Sequence, residues 1–408
     1  MQYPIVLFNR ICWLVFIALF GCSAVAAEPD RASIRDEKLG DATLAYVGTY
    51  TGAQSRGIYL YRLQTQNLDV SQNVTLAPLG LAVETSSPSF LEIDSGRRLL
   101  FAVNEIGDFQ GKKSGAVSAF SIDPTTGKLK LINQRATMGP GPCDLVLDRT
   151  GKNLLVANYD GGSVAVLPVA ADGTLGEASD FVQHEGKSIN ADRQQGPHVH
   201  CVTLDAANRF AFVCDLGCDK VFIYHFDAEH GKLSPNDPAF APLKAGAGPR
   251  HMVFRSDGKF AYVINELDST ITAFRYDAQH GGLMEVQTIS TLPYYYQGTN
   301  TAAEIEIHPS GKWLYASNRG HNCVVLYSIN SDNGKLNYIE EIRSEGKTPR
   351  HFEIDPSGKY LTIANQDSGT LLVCRIESDS GRLKPSGVAA EGPTPVCVKF
   401  LPPTKAAQ

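Results

Sequence analysis

One sequence phrase occurs six times in this chain, and this repetition restricts the fold more than any other feature. Each copy has an apolar-alternating run, a turn that usually contains glycine and a basic residue, a second apolar run, and then Asn or Asp. The copies begin at positions 88, 142, 197, 249, 302 and 349, which are 47 to 55 residues apart. Two more alternating runs follow each copy, such as STITAFRYD and GGLMEVQTIS after the fourth. Four strands in a unit of about 50 residues predict the blade of a β-propeller.

The two ends of the repeated region predict how the ring closes. The N-terminal part has only three strand-like runs, and the C-terminus has one unmatched run, PTPVCVKFL (393–401). Joining them gives a seventh blade built from both termini, which leaves no exposed sheet edge. We therefore expect an all-β fold with one seven-bladed β-propeller over 43–401, four antiparallel strands per blade, and a disordered tail over 402–408.

The first 27 residues have the composition of a secretory signal peptide. One positive charge precedes an apolar core, and small residues follow before the first acidic side chains. Cleavage after Ala27 would leave a linker over 28–42 and an exported protein, periplasmic or extracellular. The motif LFGC resembles a bacterial lipobox, so a lipid anchor at Cys22 remains an alternative. No later run approaches the roughly 18 apolar residues that a membrane-spanning helix needs.

Charge and cysteine content narrow the function classes further. The formal net charge is −6 and there is no basic run, which argues against a nucleic-acid surface. Seven of the nine cysteines lie beyond the signal region, singly and at irregular spacing, so we expect buried thiols. A Cys214–Cys218 disulfide remains open in an oxidising compartment. We expect a monomer without a cofactor.

The blade geometry predicts where functional side chains meet. The start of strand one and the residue after strand two emerge on the same face, which places Arg250 beside Glu266 at one mouth of the central channel. The same construction predicts further neighbours at this mouth: His200 with Asp215, Glu304 with Arg319, Arg350 with Gln366, and Asn104 with Glu105. Long loops over 107–115, 184–196 and 293–300 lie on this face, so we expect the functional site there. A purely structural ring of ion pairs is the alternative.

Several recurring residues are expected to be structural. Proline heads five of the six phrases, where it enters the innermost strand without donating a ladder hydrogen bond. An asparagine ends strand two in most blades and is expected to cap a turn. The triplet Pro-Arg-His at 249–251 and 349–351 is different, because its Arg and His do not recur in every blade. His198 and His200 face one side of a strand, but no third ligand is evident, so we expect no metal site.

The sequence resembles the propeller-type 6-phosphogluconolactonases and the related fungal carboxy-muconate lactonising enzyme. The shared motifs are YVGTYT (46–51), PHVHCVTLD (197–205), CDLGCDKVFIYHFD (214–227), GAGPRHMVF (246–254), VINELDSTITAF (263–274) and AEIEIHPSGKWLYASNRG (303–320). The resemblance covers nearly all of 43–401. It implies a seven-bladed propeller that opens or closes a lactone ring without a metal. The family's proposed active-site histidine, first arginine, glutamate and second arginine match His200, Arg250, Glu266 and Arg319.

These residue types suit lactone hydrolysis. His200 is expected to act as general base or acid, and Glu266 to orient water. Arg250 and Arg319 can bind an anionic group bidentately and stabilise an oxyanion. We expect His198, Glu304 and Arg350 to bind the anionic sugar lactone, with Arg350 at its distal anionic group. The alternative is a non-catalytic propeller that binds a small ligand or a partner protein at the same mouth.

Overall fold

The computed structural model describes residues 43–66, 73–386 and 390–403. The expected signal peptide with Ala27 and Cys22, the 28–42 linker and most of the 402–408 tail lie outside the described residues. The described chain forms 29 β-strands in seven antiparallel sheets, which confirms the predicted all-β, seven-bladed propeller. Within this part, the structure has no helix that is long and apolar enough to cross a membrane.

The strands follow the order of the sequence from blade to blade. Blade 1 contains β1 (Thr43–Thr49), β2 (Gly57–Gln66) and β3 (Asn73–Glu84). Blade 2 contains β4 (Leu91–Asp94), β5 (Leu99–Asn104), β6 (Ala116–Ile122) and β7 (Leu129–Ala136). Blade 3 contains β8 (Pro142–Leu147), β9 (Asn153–Asn158), β10 (Ser163–Pro168) and β11 (Asp180–Gln183). Blade 4 contains β12 (Val199–Leu204), β13 (Phe210–Asp215), β14 (Lys220–Asp227) and β15 (Lys232–Pro242).

The remaining blades complete the ring. Blade 5 contains β16 (Pro249–Phe254), β17 (Phe260–Asn265), β18 (Thr270–Asp277) and β19 (Gly282–Ser290). Blade 6 contains β20 (Thr301–Ile307), β21 (Trp313–Arg319), β22 (Cys323–Ile329) and β23 (Leu336–Arg343). Blade 7 contains β24 (Pro349–Ile354), β25 (Tyr360–Asn365), β26 (Thr370–Ile376), β27 (Leu383–Pro385) and β28 (Ala390–Glu391). The last strand, β29 (Pro395–Leu401), returns to blade 1.

Both termini build blade 1, as the sequence predicts. Strand β29 pairs antiparallel with β1, from Leu44 opposite Leu401 to Gly48 opposite Cys397. Seven hydrophobic clusters, each shared by two neighbouring blades, account for every interface of the ring. The cluster between blades 7 and 1 closes the circle. Burial of apolar side chains at each interface is therefore the main stabilising contribution between blades.

Repeated polar contacts join neighbouring blades in addition to the apolar clusters. Three tyrosine hydroxyls donate to glycine carbonyls in the last turn of the next blade: Tyr46 to Gly127 at 2.8 Å, Tyr262 to Gly334 at 2.9 Å, and Tyr315 to Gly381 at 2.6 Å. The recurring asparagines bond in the opposite direction. Asn158, Asn318 and Asn365 donate from Nδ2 to the carbonyls of Thr137, Thr291 and Ser344, at the end of the preceding blade. The asparagines also bond across their own turn, as expected, from Asn265 Nδ2 to Thr270 Oγ1 and from Asn365 Nδ2 to Thr370 Oγ1.

We expect Gly334→Ala to destabilise the fold by about 2 to 4 kcal/mol, because it adds a clash to a strained backbone. Gly334 has a φ of +72°, and an added Cβ would lie 2.3 Å from Phe260 Cδ1. Gly258 is the matched control, since its φ is +67° but no atom lies within 4 Å of an added Cβ. Gly258→Ala should lose only about 1 kcal/mol. Equilibrium urea unfolding measures both, and equal losses would mean that Phe260 moves aside freely.

Candidate active site

A β-bulge near the start of several innermost strands directs side chains into the channel mouth. In β16, the ladder pairs Pro249 and then His251 with successive residues of β17, so Arg250 is an extra residue. The same irregularity leaves His200 in β12 and Arg350 in β24 without a partner in the register. A bulge re-aims side chains that strict alternation would send to opposite faces. Both Arg250 and His251 consequently line one small cavity of about 10 Å³ in the channel.

Glu266 lies at the centre of the charged network. Its Oε2 is 2.8 Å from Arg319 Nη2 and 3.3 Å from Arg250 Nε, and its Oε1 is 2.7 Å from Arg193 Nη2. The predicted approach of Arg250 and Glu266 is confirmed. Burial alone would raise the pKa of Glu266, but Arg319, Arg250 and Arg193 outweigh burial and lower that pKa to about 2. The carboxylate is therefore ionised at neutral pH.

Two of the three arginines around Glu266 are fixed by backbone carbonyls. Arg250 Nη1 donates to Ala303 O at 2.7 Å, and Arg319 Nη2 donates to Ala302 O at 3.1 Å. Burial lowers the pKa of Arg319 to about 10, although the Glu266 carboxylate opposes this shift. Both guanidinium groups thus have a set orientation at the mouth.

The third arginine, Arg193, comes from the 184–196 loop and was not singled out from the sequence. Its Nη2 donates to Tyr159 Oη at 3.0 Å as well as to Glu266. Its side chain is 39% exposed, against 3% for Arg250, so it covers Glu266 from the solvent side. Sequence reasoning placed the loop on this face, but neither Arg193 nor Tyr159 belongs to a repeated motif that would identify it.

His200 in β12 and His198, which lies directly before this strand, both pack against Tyr159. The His198 ring stacks on Tyr159 with centroids 4.6 Å apart, and its Nδ1 is 3.1 Å from Tyr159 O. His200 meets the same tyrosine edge-on, at 5.5 Å. Burial, together with Arg250 and other cations, lowers the pKa of His200 well below 6.5, so the imidazole is neutral at pH 7.

The blade geometry predicted Asp215 at the mouth beside His200, but the structure does not place it there. It is fully buried, where Oδ1 accepts from His198 N at 2.8 Å and Oδ2 lies 2.8 Å from His184 Nδ1. The prediction was wrong because Asp215 is the last residue of β13, opposite Val199, which is the place of Asn265 in blade 5 and not that of Glu266. Asp215 instead supports the backbone of the mouth and the start of the 184–196 loop.

Arg350 has partners from the two blades that follow its own around the ring. Its Nη2 donates to Tyr50 Oη at 2.9 Å, and that hydroxyl donates to Glu105 Oε2 at 2.9 Å. Burial would lower the pKa of Arg350, but Tyr50 and Glu105 raise it overall. The expected neighbour, Gln366, leaves its buried Oε1 without a protein partner. Arg350 therefore contacts a neutral hydroxyl directly and a carboxylate only through it.

The predicted pairing of Glu304 with Arg319 is wrong. The ladder pairs Thr301 with Arg319, and a bulge between Ala302 and Ile305 changes the register. Glu304 is buried in the channel, where its Oε1 lies 2.9 Å from His251 Nδ1 and its Oε2 lies 3.4 Å from His351 Nε2.

The contacts of His251 and His351 with Glu304 explain the repeated Pro-Arg-His triplet. The proline begins the innermost strand, the bulged arginine lies at the mouth, and the histidine next to it reaches Glu304.

Other candidate features lie outside this network. The seven described cysteines are free and buried, Cys214 and Cys218 included. A larger cavity of about 910 Å³ opens among the turns of blades 2, 3 and 4, lined by Arg97, Arg149, Lys152 and others. None of the predicted site residues lines it. The positions of the predicted site residues therefore favour the mouth around Glu266, and not the larger cavity, as the functional site.

Comparison with known proteins agrees with this fold. Residues 44–400 match the family described as lactonase, 7-bladed beta-propeller. The chain belongs to this lactonase family. It is 34% identical over 361 residues to a 6-phosphogluconolactonase of Bacillus subtilis, covering 88% of this chain and 98% of the relative. It is 33% identical over 312 residues to a 6-phosphogluconolactonase of Formosa agariphila, covering 75% and 85%.

A solved structure is similar to this chain in its three-dimensional fold as well as in its sequence. The periplasmic gluconolactonase of Pseudomonas aeruginosa superposes with a TM-score of 0.81 at 34% identity, covering 88% of this chain and 99% of that one. Family membership makes the present chain a lactonase, and the resemblance read from its motifs is confirmed.

Proposed function

We propose that the mouth around Glu266 hydrolyses an anionic sugar lactone, such as 6-phosphogluconolactone, without a metal ion. The supporting observation is an imbalance of charge in the contact network. The mouth and the cavity beneath it contain four guanidinium groups and three carboxylates, which belong to Arg193, Arg250, Arg319 and Arg350, and to Glu105, Glu266 and Glu304. One positive charge in excess, together with the direct bond of Arg350 to a neutral hydroxyl, favours a substrate with a phosphate or carboxylate, which arginine binds bidentately. The names of the Bacillus and Formosa relatives agree with such a substrate.

The proposed reaction uses His200 as the base. His200 takes a proton from water while the water oxygen attacks the carbonyl carbon of the lactone. Arg250 and Arg319 stabilise the negative charge that forms on the carbonyl oxygen, and Glu266 orients both arginines and the water. The bond from the carbonyl carbon to the ring oxygen then breaks, and the leaving oxygen receives the proton from His200. One water is consumed, and the product is a hydroxy acid.

Hydrolysis of a small lactone panel in EDTA tests this proposal. The panel contains 6-phosphogluconolactone and the uncharged gluconolactone, with spontaneous hydrolysis subtracted. We expect turnover that EDTA does not reduce, with a higher kcat/KM for the phosphorylated lactone. Loss of activity in EDTA would contradict metal independence. Turnover of neither lactone would favour the non-catalytic propeller that binds a ligand or partner at this mouth.

We further infer that the protein is exported and acts as a monomer. The composition of residues 1–27 supports export, and the Pseudomonas relative is named a periplasmic gluconolactonase. Pairing of β29 with β1 completes blade 1 within one chain, and the proposed site is assembled from the blades of that single ring. Mass spectrometry of the natural protein should find an N-terminus at Glu28, whereas a diacylglyceryl group on Cys22 would support the lipoprotein alternative.

A further inference from the structure

Two buried histidines share one buried carboxylate beneath the channel mouth. His251 and His351 occupy equivalent places in blades 5 and 7. Both contact Glu304, which lies on strand β20 of blade 6 between them. All three residues are at least 95% buried. Both imidazole rings also pack edge-on against Phe90, with centroids 5.7 and 5.5 Å away. The reaction described above uses none of these groups.

The contacts of each imidazole fix where it holds its proton. Burial would raise the pKa of Glu304, but His251 and His351 outweigh burial and hold that pKa well below its usual range. The ionised carboxylate can only accept hydrogen bonds. His251, whose Nδ1 lies 2.9 Å from Oε1, must therefore donate from Nδ1. In the neutral ring, Nε2 of His251 is then an acceptor.

His351 lies beside the same carboxylate as the opposite tautomer. Its Nδ1 accepts from Val398 N at 3.4 Å, so its proton is on Nε2, which lies 3.4 Å from Glu304 Oε2 without making a hydrogen bond. Burial lowers the pKa of His351 to about 3, so this ring is neutral. The two triplet histidines are thus chemically distinct, although the repeat places them equivalently.

His251, unlike His351, adjoins the proposed base. The rings of His200 and His251 meet edge-on with centroids 5.1 Å apart. Each has one buried nitrogen without a protein partner, Nδ1 of His200 and Nε2 of His251. An unprotonated Nε2 on His251 favours a proton on His200 Nδ1, because an N–H can pair directly with that lone pair whereas a second unprotonated nitrogen cannot. The remaining nitrogen of His200, Nε2, is then free to accept a proton.

We propose that Glu304 and His251 are positioning residues that hold His200 in the Nδ1–H tautomer, with Nε2 available as the base. This inference rests on the proposed function, in which His200 removes a proton from water. It adds a reason for a carboxylate to be buried beneath the mouth: when His200 becomes an imidazolium among the arginines, the negative charge of Glu304 opposes their repulsion through His251.

The experiment compares His251→Phe with His351→Phe. Each variant keeps a ring against Phe90 and removes one contact with Glu304, so the packing disturbance is matched. The tautomer of His200 is read from long-range ¹⁵N–¹H spectra of histidine-labelled protein, assigned by the resonances that His200→Gln loses. We expect His200 to be the Nδ1–H tautomer in wild type and in His351→Phe, and to lose this preference in His251→Phe. In the same variant kcat should fall about a hundredfold with KM within twofold, whereas His351→Phe should keep most of kcat.

The proposal is overturned if His251→Phe changes neither the His200 tautomer nor kcat. It is also overturned if His251→Phe and His351→Phe lower kcat equally. If His251→Phe does not fold, Glu304→Gln replaces it, since the amide no longer requires His251 to donate from Nδ1. The spectra are independent of turnover. A wild-type protein that hydrolyses no lactone would defeat the proposed function, while the tautomer comparison would still decide whether Glu304 and His251 set the state of His200.

Discussion

Glu266→Gln should lower kcat by about a hundredfold to a thousandfold, the range typical for removal of an electrostatic element of an active site. Glu266 is the shared counter-charge of Arg250, Arg319 and Arg193. A neutral amide leaves those guanidinium groups to repel one another, so they lose the orientation that the proposed stabilisation of the oxyanion requires. Steady-state hydrolysis of 6-phosphogluconolactone measures the effect.

Glu105→Gln is the matched control, because Glu105 is also a carboxylate near the mouth but reaches Arg350 only through Tyr50. It should leave kcat within a few-fold of wild type. An equally large loss of kcat in both variants would mean that overall charge matters, and not the geometry around Glu266.

Stability should depend on Glu266 in a definite pH range. The folded-state pKa of about 2 lies below the ordinary value of 4.5, so the ionised form stabilises the fold above pH 4.5. This contribution is lost as the pH falls towards 2. The difference in unfolding free energy between wild type and Glu266→Gln should therefore shrink over that interval. A difference that stays constant would show that Glu266 does not stabilise the fold through its charge.

The sequence predicts the parts of the molecule that the repeat determines. Periodicity and the unmatched terminal runs identify seven blades and their closure through β29 and β1. The repeat also predicts that Arg250 lies beside Glu266, because strand one and strand two of the blade are joined by a short turn of fixed length. Local pattern and global topology agree here, which is the condition under which sequence reasoning succeeds.

The site residues that the sequence missed depend on features without a repeat. Arg193 reaches Glu266 from an irregular loop, and Tyr50 reaches Arg350 across the closure of the ring, 300 residues away in the chain. Glu304 was misplaced because Ala302 pairs with Asn318 as Pro249 pairs with Asn265, so Glu304 occupies the place of His251 and Ala303 that of Arg250. Alternation alone does not reveal which residue of such a bulge reaches the mouth.

Arg250→Ala and Arg350→Ala should have different kinetic effects. We expect Arg250→Ala to lower kcat by about a hundredfold or more, because it removes an oriented donor at the reacting carbonyl. Arg350→Ala should chiefly raise KM, by about tenfold to a hundredfold, because its bond to the neutral Tyr50 leaves its charge available for the distal anionic group of the substrate. Small and equal effects would mean that the arginines of both triplets are structural.

A lactone without the distal anion separates the two roles further. With gluconolactone, Arg350→Ala has no phosphate contact to lose, so its KM should return to within about threefold of wild type. Arg250→Ala should remain impaired, since the carbonyl is the same in both substrates. Arg350→Lys keeps the charge but not the bidentate geometry, so it should recover part of the KM for 6-phosphogluconolactone. If Arg350→Ala raises KM equally for both lactones, Arg350 acts on a part of the molecule that they share, and the distal assignment is wrong.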